Sequence, residues 1–110
     1  MSIMKNINMS EVLTFSSQTE YQKGQIVSKT LIQNDAISLT LFAFDKDEEI
    51  STHESGGDAL VLCLDGVGKI VIDDEEYILH KDESIVMPAG HPHSVSAVEP
   101  FKMMLTVVFK

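Results

Sequence analysis

From Gln25 onward the chain is a succession of short β-rich runs punctuated by turn residues, and this punctuation constrains its fold more than any other feature. The runs are Gln25 to Gln33, Ile37 to Phe44, Ala59 to Leu64, Gly68 to Ile72, Glu76 to Leu79, Ser84 to Met87, His93 to Val98 and Phe101 to Phe109. Branched and aromatic side chains dominate them, as they do in strands. Between them stand Asn34-Asp35, Asp45 to Glu49, Ser55-Gly56-Gly57-Asp58, Asp65-Gly66, Asp73-Asp74 and Pro88-Ala89-Gly90. Gly supplies positive φ there, while Asn and Asp tolerate the left-handed region and bond to nearby backbone. No stretch as long as a typical helix carries a helical period. So many short strands would leave many open edges in a flat sheet. Closing the sheet removes them, so an all-β barrel or jelly roll is expected.

At 110 residues there is room for one hydrophobic core and one domain. Residues 1–24 are polar and weakly patterned, with only Met9-Ser10-Glu11-Val12-Leu13 suggesting a turn or short helix. This segment is expected to pack on the barrel, residues 25–110, or on a dimer mate. Leu60 to Leu64 and Met103 to Phe109 are apolar at consecutive positions, so both faces of these strands should be buried. A chain of this size has one interior, and the second face points to a homodimer.

Charge narrows the partners. Eight Lys and no Arg stand against seventeen Asp and Glu, a net charge of −9 that repels polyanions, so nucleic acid is not expected. Without Arg the usual bidentate clamp for phosphates and dicarboxylates is missing. The single cysteine, Cys63, forms no internal disulfide, and neither a secretory signal nor a membrane-spanning apolar run is evident. The expected compartment is the cytoplasm, with no membrane partner.

Two segments carry chemistry: Asp47 to Gly66, containing His53, and Asp82 to Ala97, containing Pro88, Gly90 and His93. Together they resemble the two signature motifs of the cupin superfamily, here in a small single-domain, conserved-barrel form. In the first motif a glycine, two histidines separated by one residue, a glutamate and a closing glycine succeed one another. In the second the order is glycine, proline, glycine, histidine and asparagine. His53 takes the first histidine position and Gly66 the closing glycine; Pro88, Gly90 and His93 fit the second motif. Asp47 and Asp82 replace the opening glycines, Ser55 the second histidine, Ala59 the glutamate and Ala97 the asparagine. Two of the family's four metal ligands are therefore missing.

The resemblance implies an all-β cupin barrel, a double-stranded jelly roll, with a site inside it. Strand alternation places Ser51 and Ser55 on the face of His53, Val61 and Cys63 on that of Ala59, and Val95 and Ala97 on that of His93. The candidate ligand pocket is thus His53, Ser55, Ala59, Val61, Cys63, Met87, His93 and Val95. Candidate metal ligands are His53 and His93, with His91 and Asp58 as additions and Glu54 as a flanking carboxylate; any divalent ion would be weakly bound or absent. The alternative is a pair of hydrogen-bonded pocket histidines without metal. Cys63 reads more readily as a small buried hydrophobe than as a nucleophile.

Two functions of different classes are open. The first is a small-molecule-binding or sensing cupin without catalysis, suggested by the missing ligands and the apolar inner face. The second is a metal-dependent cupin enzyme of dioxygenase or isomerase type acting on a small organic compound. The residues identify a pocket and not a reaction.

Overall fold

A computed structural model describes residues 3–110. A 3-10 turn at Phe15–Ser17 precedes nine strands: β1 (Ile26–Gln33), β2 (Ile37–Phe44), β3 (Glu49–His53), β4 (Asp58–Asp65), β5 (Gly68–Ile72), β6 (Glu75–Leu79), β7 (Ser84–Met87), β8 (His93–Ala97) and β9 (Phe101–Val108). Eight of these match the β-rich runs of the sequence to within a residue or two. The ninth, β3, was hidden because four of its five residues are exposed, so it carries no hydrophobic alternation. The segment Met9 to Leu13 makes a turn at Met9-Ser10 and no helix.

Two antiparallel sheets face each other. One has the order β1-β2-β9-β4-β7 and the other β3-β8-β5-β6, the arrangement of a small β-barrel or jelly roll. Turn chemistry sets the joints. Asp73 and Asp74 form the two-residue β5–β6 loop with φ of 50° and 70°, the positive pair that a type I′ hairpin requires. Asn34 Oδ1 accepts from the backbone N–H groups of Ala36 and Ile37, closing the β1–β2 turn. Asp47 and Asp82, which stand where the motifs have glycine, adopt φ of 69° and 71°. They keep the glycine-like conformation, which Asp tolerates better than most residues.

Register decides what lies between the sheets. Phe42 on β2 faces Met103 on β9, which faces Cys63 on β4, while Phe44 faces Phe101. These inward side chains meet Ile70, Ile72 and Leu79 from the opposite sheet in one core. The Phe44 and Phe101 rings pack tilted, 5.5 Å between centroids, a favourable aromatic arrangement.

The outer face of the five-stranded sheet is partly covered by the chain's own N-terminal segment. Leu41 and Ala43 alternate with the inward Phe42 and Phe44, yet they too are fully buried. The 3-10 turn packs on β4 and β9. Lys102 Nζ donates to the Ser16 carbonyl at 2.6 Å and lies 4.9 Å from the centroid of the Tyr21 ring, whose hydroxyl donates to Asp65. The Lys5 N–H reaches the Leu31 carbonyl on β1. Among the described residues, no helix is long and apolar enough to cross a membrane.

Candidate functional site

The site begins with a pairing of strands. β3 and β8 run antiparallel, with Ile50 opposite Val95 and His53 opposite His93. That is a step of two on β8 and a step of three on β3, so β3 carries a bulge between Ile50 and His53. A bulge inserts one residue and re-aims the side chains beyond it. Here it lets Ile50 and His53, of opposite parity, line the same cavity, while Ser51 does not line it. Alternation along an unbroken strand predicts Ser51 instead.

The two histidines meet at the cavity, His93 buried and His53 exposed. Their Nε2 atoms are 3.2 Å apart and their rings nearly perpendicular, at 72°. Each Nδ1 lies against a backbone carbonyl, that of Ser51 at 2.8 Å for His53 and that of His91 at 3.1 Å for His93. A carbonyl only accepts, so each Nδ1 carries its proton and donates. In the neutral rings both Nε2 atoms then hold lone pairs directed at one another. Such a pair is unfavourable until a proton, a cation or a donor group comes between the nitrogens. A proton is disfavoured on His93. Burial, and then the proximity of His53, lower the pKa of His93, outweighing the His91 carbonyl and the Glu54 charge.

Around the pair is a cavity of about 200 Å³. Ile50 and Val95 come from the His53 sheet; Ala59, Met87, Met103, Leu105 and Val107 come from the facing sheet. Glu54 and Ser55 complete the lining, from the β3–β4 loop. Two loops frame the mouth and are latched together: the Ala89 N–H donates to Asp58 Oδ1 at 2.9 Å, and the Gly90 N–H to the Ser55 carbonyl at 3.0 Å.

Of the residues suggested by the sequence, His53, Ser55, Ala59, Met87, His93 and Val95 all line this cavity. Val61 and Cys63 face inward but are fully buried in the core and do not line it. Their longer cross-strand neighbours, Leu105 and Met103, form the wall instead. The Cys63 thiol is pushed up to about 11 by burial. Asp58 latches the loops rather than facing the pair. His91 turns its ring to Asp73 at 2.5 Å and contributes only its carbonyl, which holds His93. The sequence reading missed Ile50, Met103, Leu105 and Val107. Ile50 had a signal, being the lone apolar residue in a polar strand. The β9 residues had none, because Met103, Met104 and Leu105 are consecutive apolar residues with no alternation to separate the two faces.

The donor set can be tested against the metal that the fold family implies. Two Nε2 lone pairs 3.2 Å apart are spaced as adjacent ligands of one ion would be, and the Nδ1–H to carbonyl bonds are of the kind that orient ligating histidines. Yet among the described residues no three His, Cys, Asp or Glu side chains gather to hold an ion. Catalytic zinc sites keep three protein ligands. The residues present therefore do not fit a family-type metal centre.

The cupin-domain family matches residues 40–109. A conserved protein of unknown function from Streptococcus pyogenes is 42% identical over all of this chain and 96% of its own, with a TM-score of 0.98. A cupin superfamily protein from Desulfitobacterium hafniense is 29% identical, covering 99% of this chain and all of its own, with a TM-score of 0.93. A conserved-barrel cupin protein from Leptotrichia buccalis is 44% identical over 84% of this chain, which spans 45% of that protein (TM-score 0.83). No curated protein matches the chain.

Proposed function

The chain belongs to the cupin superfamily, and from that premise we propose that its barrel binds one small, mostly apolar molecule, held at its polar end by His53 and His93, without a chemical step. The observation that carries this reading is the contrast within the cavity: seven apolar side chains surround a single pair of imidazoles. Pockets that are mostly apolar, with a few convergent polar groups, are the usual form of small-molecule sites. Methionine methyl NMR tests it. On titration with small apolar solutes such as toluene, the Met87 and Met103 methyl signals should move. Met104, which alternates with Met103 and faces away from the cavity, should stay in place. No movement at saturating solute would refute the reading.

A metal-dependent enzyme of dioxygenase or isomerase type is the second reading, favoured by the 3.2 Å spacing of the Nε2 atoms. It stands second because the carboxylate and the further imidazole that such a centre needs have been replaced by Ala59 and Ser55.

The protein acts as a homodimer through the outer face of its five-stranded sheet. Leu60, Val86 and Val108 remain 39%, 54% and 48% exposed there, adjacent to the part that the N-terminal segment covers. A net charge of −9 and a single, buried thiol suit a cytoplasmic protein with neither nucleic acid nor membrane as partner.

A further inference from the structure

The cavity has a chemical polarity that limits what can enter it. Both ring N–H groups of the pair are spent on carbonyls, so the pair offers acceptors to the cavity and no donor. Ser55 Oγ accepts from the Gly57 N–H at 3.2 Å in its own turn, which leaves its single hydroxyl proton as the one side-chain donor in the lining. No lysine lines the cavity, the chain has no arginine, and the one charged lining residue is the acidic Glu54. A carboxylate or phosphate would find no countercharge and a single hydroxyl donor, and burying such an anion without a countercharge is costly. A neutral hydroxyl would find two lone pairs converging on one point.

Size and wall chemistry narrow the body of the ligand. An apolar cavity of about 150 Å³ in another protein holds benzene, so about 200 Å³ accommodates one ring with a small substituent. Met87 and Met103 both line the cavity. Thioethers make favourable contacts with aromatic rings and adapt to their shape.

We propose that the molecule this site takes is a neutral single-ring phenol, its hydroxyl donating into the gap between His53 Nε2 and His93 Nε2 and its ring lying among Met87, Met103 and Leu105. The proposal rests on the ligand-binding reading above and adds the class of ligand. The hydroxyl proton resolves the opposition of the two lone pairs, which an aromatic hydrocarbon of the same shape leaves in place.

The test is calorimetric titration of the 110-residue chain, in buffer containing a chelator, with phenol, toluene and benzoate. Phenol should bind on the order of tenfold tighter than toluene, the worth of one well-made hydrogen bond, and benzoate weaker than either. His53→Leu, at an edge-strand position, should abolish the preference for phenol over toluene. Equal binding of phenol and toluene to the unmodified protein overturns this inference but leaves the apolar-ligand reading standing. Benzoate binding as tightly as phenol likewise overturns it. If neither phenol nor toluene binds, both readings fall together.

Discussion

Gly66 sits at φ +75° against the carbonyl of Pro100, so close that a methyl group in its place would overlap that oxygen. Gly90 has the same φ of +75° but open space where a Cβ would go. The two glycines, alike in the motifs, therefore separate the cost of backbone conformation from that of steric contact. Gly90→Ala should destabilise by only about 1 kcal/mol, the penalty of a left-handed residue. Gly66→Ala should cost at least about 3 kcal/mol, because the turn itself must shift. Urea unfolding midpoints of the two variants decide it; equal losses would mean that the Pro100 contact is easily relieved.

Restoring the missing ligands should create a metal site. In Ser55→His combined with Ala59→Glu, a nitrogen and a carboxylate return to a cavity where two imidazoles already converge. Outer-shell partners alone change metal affinity by 10–100-fold, so two new direct ligands should raise divalent-ion affinity by at least about a hundredfold. Titration with zinc in competition with a chromophoric chelator gives the number. Unchanged affinity would show that Ala59 and Ser55 do not point at the histidine pair.

Stability should depend on the protonation of His93. Its folded pKa lies below the ordinary value of 6.5, so the unfolded chain binds the proton more readily than the folded one. The stabilisation is present above that ordinary value and is lost as pH falls through the lower folded pKa. Unfolding midpoints at pH 7.5 should exceed those at pH 5.5. His93→Gln should flatten this part of the profile.

Cys63 should be silent in the native state. It is buried, and its thiol is raised to about 11, so little thiolate exists at pH 8. A thiol reagent such as Ellman's should report no reaction at that pH without denaturant and one thiol per chain in urea. Rapid native labelling would show that the core opens locally around β4.

In solution the protein should have twice the chain mass of 12.2 kDa. Leu60 and Val86 are cross-strand neighbours on the exposed outer face, where one charge directed at its own symmetry mate should prevent pairing. Val86→Asp should give the monomer mass by light scattering while keeping the β-sheet circular dichroism. A monomer before mutation would remove the dimer.

The histidine pair was legible in the sequence because His53 and His93 each hold a motif position whose spacing to Gly66, or to Pro88 and Gly90, is fixed. The strands were legible because residues such as Asn34, Asp73 and Gly66 mark their ends. Two things were not. Parity identifies the face of a strand but not the depth of a side chain, and so Val61 and Cys63, though inward, lie in the core rather than against the cavity. A bulge breaks parity altogether, and nothing in Glu49-Ile50-Ser51-Thr52-His53 announces one. Parity alone therefore puts Ile50 on the wrong face and Ser51 in its place.

The position of the two histidines in their sheet makes them mechanically unequal. β8, with His93, has strands hydrogen-bonded on both sides; β3, with His53, is an edge strand held along one side only. Opening β3 breaks one ladder and exposes little core, whereas displacing β8 would dismantle the whole sheet. His93 is thus the fixed jaw of a vise and His53 the moving one. Amide exchange along Glu49–His53 should run faster than along His93–Ala97, and a molecule gripped between the imidazoles should slow it on the β3 side.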